Sequence, residues 1–210
     1  MGATKTASST QSDPKADILL AARNFSKEKI ASIANALGAV DKDCCVAITG
    51  SYGRLEASTE SDFDYFIMTS RDPEASELKE FGERVGAAVR DRIGKLPSAG
   101  GPFHRITAAD SMTRNIGGQH EKNEDLTRRI LLLIEGRPVA GEAYFRKIRS
   151  DIISRYISEE IKTHQLGLFF LNDLIRYYRT MCVDFEYKTI EEGKSWGDRN
   201  IKLVFSRKLI

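Results

Sequence analysis

No apolar run in this 210-residue chain approaches the roughly 18 residues that a membrane helix needs. Cysteine is scarce: Cys44, Cys45 and Cys182 are the three, with no CxxC pair and no Cys/His cluster. That excludes a disulfide framework and argues against structural zinc. Adjacent Cys44 and Cys45 alternate faces on a strand and do not bridge each other, so they read as core residues. An odd cysteine count without a framework suits a reducing compartment, and a cytoplasmic location is expected. Charge of a single sign is also lacking: 32 Lys and Arg oppose 30 Asp and Glu, for a net +2. The surface as a whole is therefore not a nucleic-acid coat, and any polyanion site must come from a local cluster. His104, His120 and His164 are scattered without metal-ligand spacing. Residues 1–14 lack the apolar stretch of a secretory signal; small and polar, they read as a disordered lead-in. Neither an internal repeat nor a low-complexity block follows them.

With 41% hydrophobic residues, the chain has enough apolar side chain for a substantial core. Apolar positions recur at helical spacing from Lys15 to Leu37. Cys44 to Thr49 is short, apolar and partly β-branched, which predicts a buried strand ending at Gly50-Ser51-Tyr52-Gly53-Arg54. A small, polar stretch from Leu55 to Ser61 leads to a second strand, Asp62 to Met68. Asp72-Pro73 opens a helix running to Ile93, and Lys95 to Pro102 is a loop. Phe103 to Thr107 reads as one more short strand. From Asn123 the character turns helical: Leu126 to Glu135, Gly141 to Ile157, Ser158 to Glu186 and Ser195 to Ile210. The last of these ends without a cap, so it is either cut short or docked on something.

Two features sit together. The first strand ends in Gly50-Ser51. Eleven residues beyond Ser51, Asp62 opens Asp62-Phe63-Asp64. Residues i and i+2 of a strand face one side, about 6–7 Å apart, so the carboxylates point together. Carboxylates that close repel unless a cation lies between them. Mg²⁺, or Mn²⁺ in its place, suits such a pair, because it takes one or two carboxylates together with substrate phosphates. Glycine lets a backbone approach phosphate closely, and Ser51 adds a hydroxyl donor. Arg54 is a candidate for neutralising phosphate charge. Phe63, Tyr65 and Ile67 point the other way, into the core. A Gly-Ser turn or an Asp-x-Asp pair alone says little; the ordered ensemble is specific.

The run from Gly50 to Asp64, with Gly50-Ser51-x-Gly53-Arg54 before Ser61-Asp62-x-Asp64, resembles the signature of the polymerase-β nucleotidyltransferase superfamily. Its form is similar to the branch that holds the uridylyltransferase of a nitrogen-regulatory signal protein and related bacterial nucleotidyltransferases. The sharp resemblance covers residues 44–69; Leu126-Thr127-Arg128-Arg129 and Leu131 to Gly136 resemble the branch more loosely. The resemblance implies that Asp62 and Asp64 are catalytic metal ligands and that Gly50 and Ser51 contact the triphosphate of an NTP, with Ser61 beside them. It implies transfer of a nucleoside monophosphate to an acceptor hydroxyl, in bacterial signalling or defence, the acceptor being a nucleotide, a nucleic acid or a protein. It also implies a third carboxylate from a later strand. Asp110, after the short strand expected at Phe103–Thr107, is the first candidate, and Glu121 the second.

Two further groups are candidate nucleotide contacts. Asp173, Arg176, Tyr177 and Thr180 share a helix face, of which Arg176 and Tyr177 would line a nucleotide cleft. Lys202 belongs to a basic stretch with Lys194, Arg199, Arg207 and Lys208 that would grip phosphate. The expected architecture is α+β. A small mixed nucleotidyltransferase sheet flanked by helices occupies residues 15–120, and an all-helical domain occupies 121–210. No membrane partner is expected, and an oligomer remains open. Two other classes stay in view: a non-catalytic nucleotide-binding regulator, and an interaction module whose helical half is a partner surface.

Overall fold

The computed structural model describes residues 14–95, 103–114, 116–157, 167–201 and 203–204. Four strands form one mixed sheet: β1 (Cys44–Ile48), β2 (Tyr65–Thr69), β3 (Ile106–Ala108) and β4 (Arg137–Ala140). Their order is β3-β2-β1-β4. β1 runs antiparallel to both β2 and β4, with Val46 opposite Ile67 and Val46 opposite Ala140. β2 and β3 are parallel, with Ile67 opposite Ile106.

Every residue of β1 and β2 is buried, which is why both read as unbroken apolar runs rather than as alternating ones. The pleat sorts them into two cores. Val46, Ile48, Phe63, Tyr65 and Ile67 pack on one face, beneath α1 (Pro14–Leu37) and α3 (Ser76–Ile93). Cys45, Ala47, Phe66 and Met68 pack on the other, against α4 (Ala109–Thr113) and α6 (Glu142–Tyr156). Each large apolar side chain so buried contributes roughly 1.5–3 kcal/mol before entropy is counted. Both adjacent cysteines are buried and free, one toward each core, as their alternation implies.

Among the described residues, the chain after residue 120 is mainly helical: α5 (Asn123–Ile134), α6, α7 (Leu168–Ile190) and α8 (Trp196–Ile201). It is not all-helical, however. Arg137–Ala140 leaves α5 and returns to the sheet as its edge strand β4. Only four residues long and half-covered, it carries a Pro and too little β-branching to announce itself. Its Pro138 sits on an edge strand, where a missing N–H is tolerated. The α+β class holds, with helices on both faces of a mixed sheet and a helical C-terminal part. None of the helices described is long and apolar enough to cross a membrane.

Candidate functional site

The turn after β1 tightens into a short helix, α2 (Gly50–Arg54). Thr49 leaves the strand in extended conformation, and Gly50 takes φ +64°, a region that costs a side chain but not glycine. A second reason for glycine is contact: a Cβ built on Gly50 would lie 2.7 Å from Asp64 Oδ2. The Asp64 carboxylate thus lies against the turn. The backbone fixes that juxtaposition, since the Thr49 amide donates to the Asp64 carbonyl at 2.9 Å.

Regular β2 begins at Tyr65, and Asp62 to Asp64 form the extended approach to it. The alternation still holds through that approach. Phe63 and Tyr65 are wholly buried, while Asp62 is exposed and Asp64 half-buried on the opposite side. Tyr52 packs edge-on against Phe63, with ring centroids 5.0 Å apart. Burial, and next the charge of Asp62, raise the Tyr52 phenol above its ordinary pKa. The rings of Tyr52, Phe63 and Tyr65 form the floor behind the two carboxylates.

Ser51 is half-buried, and its hydroxyl makes no hydrogen bond among the described residues. It is therefore open to a ligand oxygen. The Ser61 hydroxyl acts within the loop instead. It accepts the Ser58 amide at 3.0 Å and closes the segment before Asp62. Arg54 lies beside the turn but is engaged. Its guanidinium donates to Glu56 at 2.9 Å and to Glu135 at 2.6 Å. Burial alone would lower its pKa, and the bonds and charges of those two glutamates reverse the shift upward.

Glu135 went unmarked in the sequence. Its side chain is almost fully buried and accepts the Gly50 amide at 2.7 Å as well as the Arg54 guanidinium. Arg137 adds a bond to the Gly53 carbonyl at 2.5 Å. A Cβ on Gly53 would stand 2.5 Å from the Glu135 carbonyl, so the two backbones touch and only glycine fits. The one visible signal was a glutamate closing an apolar helix. Its partner lies 85 residues away, beyond the reach of local pattern.

Asp110 requires a correction. Because β3 is parallel to β2, the residues after β3 emerge where β2 ends, not where Asp64 begins it. Asp110 shares a surface cavity with Lys42, Asp43 and Ser70. That is the far end of β1, roughly 20 Å along the strand from Gly50 at 3.3 Å per residue. Its carboxylate pairs with Arg114 at 3.2 Å. The sequence placed Asp110 after a strand but could not supply that strand's direction.

Glu121, Arg176 and Tyr177 lie in the helical part, as expected, but are engaged within it. Arg129 is wholly buried and donates to Glu121, to Asp173 at 2.6 Å and to the Tyr156 hydroxyl at 2.5 Å. Arg176 reaches Glu121 and Asp173, each at 2.7 Å. Burial alone would raise the Asp173 carboxyl; bonds from Tyr156, Arg129 and Arg176 outweigh it and hold the pKa below its usual value. Tyr177 is core, packed with Leu126, Ile130 and Leu131 of α5. The shared face of α7 therefore turns into α5 and an ion network rather than into a nucleotide cleft. Lys202 lies outside the described residues, as do His164, Arg207 and Lys208.

Among the described residues, no group of three or more His, Cys, Asp and Glu forms a metal-type cluster. The candidate donor set is the pair Asp62 and Asp64. That pair suits a hard cation which keeps several waters and completes its shell with phosphate oxygens.

Residues 21–103 match the family described as "Putative nucleotidyltransferase DUF294". The match takes in Gly50, Ser51, Asp62 and Asp64 and stops before β3. It supports a nucleotidyltransferase-like family and nucleotidyl transfer as the general kind of reaction. No curated protein matches the chain.

Proposed function

We propose that this protein is a Mg²⁺- or Mn²⁺-dependent nucleotidyltransferase that moves a nucleoside monophosphate from an NTP to an acceptor hydroxyl. The observation that carries the reading is the packing of the Asp64 carboxylate against Gly50. It joins a metal-type carboxylate pair and a phosphate-type glycine turn in one place. Asp62 and Asp64 would hold the cation, which when bound supplies charge neutralisation on the phosphate oxygens. The free hydroxyl of Ser51 would contact the triphosphate. In the reaction, the acceptor hydroxyl gives up its proton to solvent and its oxygen bonds to the α-phosphorus, while the bond to the bridging oxygen breaks and pyrophosphate leaves. The protein's part is positioning and electrostatic stabilisation. The resemblance to the uridylyltransferase branch favours a role in signalling or defence, with a nucleotide, a nucleic acid or a protein as acceptor.

The test is mass spectrometry of products after incubation with mixed NTPs, dNTPs and Mg²⁺. The expected result is pyrophosphate and a nucleotidylated product from the wild type, with turnover at least a hundredfold lower for Asp64→Ala. A second reading is a non-catalytic nucleotide-binding regulator. The placement of Asp110 at the other end of the sheet and of Glu121 inside an ion network favours it. Under that reading the wild type and Asp64→Ala show the same zero turnover while the wild type binds NTP.

A further inference from the structure

We infer that Glu135 is the positioning residue of the phosphate turn, clamping it from the helical half of the chain. This role rests on the proposed nucleotide site and concerns what sets that site's shape. Glu135 belongs to a three-residue strap, Glu135-Gly136-Arg137, that leaves α5 and enters β4. The strap holds the Gly50–Arg54 turn at both ends. Glu135 takes the Gly50 amide and the Arg54 guanidinium, while Arg137 takes the Gly53 carbonyl. Between those grips the Gly53 backbone lies directly on the Glu135 carbonyl.

The clamp has consequences for phosphate, for charge and for motion. The Gly50 amide is already satisfied, so it is not a phosphate donor in this arrangement; the Ser51 hydroxyl makes no hydrogen bond among the described residues and is left to bind phosphate. A buried carboxylate beside a triphosphate site would repel phosphate, and its pairing with Arg54 cancels that charge. Finally, an α-helix that moves carries its end with it. Because α5 ends in the strap and packs against α7, a shift of the helical half is transmitted to Gly50 and so to the Asp64 carboxylate resting on it. The helical half would then be coupled to the nucleotide site through one carboxylate.

The variants are Glu135→Ala and Glu135→Gln in the full chain. Glutamine keeps an oxygen that accepts from Gly50 N–H but presents neither charge nor a matching acceptor to Arg54. The first measurement is amide hydrogen exchange of the peptide spanning residues 49–56, with no nucleotide present. Glu135→Ala is expected to speed exchange there at least tenfold while leaving the β2 peptide alone, and Glu135→Gln to speed it much less. The second is ATP dependence with Mg²⁺. Glu135→Ala is expected to raise KM about tenfold with kcat within threefold, and Glu135→Gln to recover part of that rise. A folded Glu135→Ala protein with unaltered exchange in the turn overturns the inference. So does an unchanged or lower KM, which would make the carboxylate a bystander or a competitor of phosphate. Wild-type protein that neither binds nor turns over ATP defeats the nucleotidyltransferase reading instead, and the exchange measurement still decides the clamp.

Discussion

Two clusters of charge in this molecule use the same residue types to opposite ends. Around Gly50, Asp62 is exposed and Asp64 half-buried, two like charges on one side of an extended segment. Around Arg129, the side chains of Glu121 and Asp173 are almost wholly buried, and two arginines and a tyrosine answer them. The second cluster is closed: its charges find their counterparts within the protein and tie α5, α6 and α7 together. The first gathers negative charge at an open strand end, against a glycine that leaves room. Burial with matched partners marks structure, whereas two carboxylates on one open side are what the proposed cation and its ligand would need.

Breaking the closed cluster is expected to have the largest effect on folding. Arg129→Met strips two buried carboxylates of their main partner, and such a loss costs about 3–5 kcal/mol. Denaturant unfolding should show it as a large fall in midpoint. Adding Glu121→Gln and Asp173→Asn should recover most of the loss, since neutral amides need no counter-charge. Asp64→Ala, by contrast, is expected to abolish turnover while keeping folding stability within about 1 kcal/mol of wild type. An Arg129→Met protein of wild-type stability would dissolve the distinction between the clusters.

That distinction was only half legible in the sequence. The Gly50–Asp64 constellation is contiguous within fifteen residues, so spacing and strand alternation bring its members together without a tertiary fold. Phe63 and Tyr65 turn away from the carboxylates for the same local reason. The Arg129 cluster joins elements across as many as 55 residues, from Glu121 to Arg176, and local periodicity shows only that Asp173 and Arg176 share a helix face. Whether that face meets solvent, a ligand or α5 depends on packing that no window contains. The same limit hid β4, a four-residue edge strand, and Glu135 just before it.

A smaller effect tests the floor behind the open cluster. Tyr65 follows Asp64 and points to the opposite core, where its hydroxyl has no partner among the described residues. Burial pushes its phenol up to about 12, with the charge of Arg90 opposing in part. In the unfolded chain the value is about 10. Between those values the unfolded chain gives up the proton and the folded chain keeps it. The contribution to stability is therefore complete below about pH 10 and is lost as pH rises through about 12, by roughly 2–3 kcal/mol. Tyr65→Phe removes an unsatisfied hydroxyl, so stability at about pH 8 should stay within about 1 kcal/mol of wild type or rise. The fall between about pH 10 and 12 should become shallower by that single group. Cys44, raised to about 11 by burial, titrates in both proteins and cancels in the comparison. Denaturation curves at about pH 8, 10 and 11 decide it: parallel loss in both proteins would show that the hydroxyl is solvated after all.

The smallest expected effect belongs to a carboxylate outside both clusters. Asp110 is an aspartate like Asp64 and follows a strand of the same sheet, so composition and order do not separate them; strand direction does. A parallel β3 delivers Asp110 to the end of the sheet where β2 finishes, into an exposed i,i+4 pair with Arg114. Surface pairs of that kind are worth about 0.3–0.5 kcal/mol. Asp110→Asn should therefore shift unfolding by less than about 0.5 kcal/mol and leave turnover within twofold, measured beside Asp64→Ala in the same assay. A hundredfold fall in turnover would make position on the sheet a poor guide to function here. It would mean that a third carboxylate acts from the far end, through an arrangement of β3 and α4 different from this one.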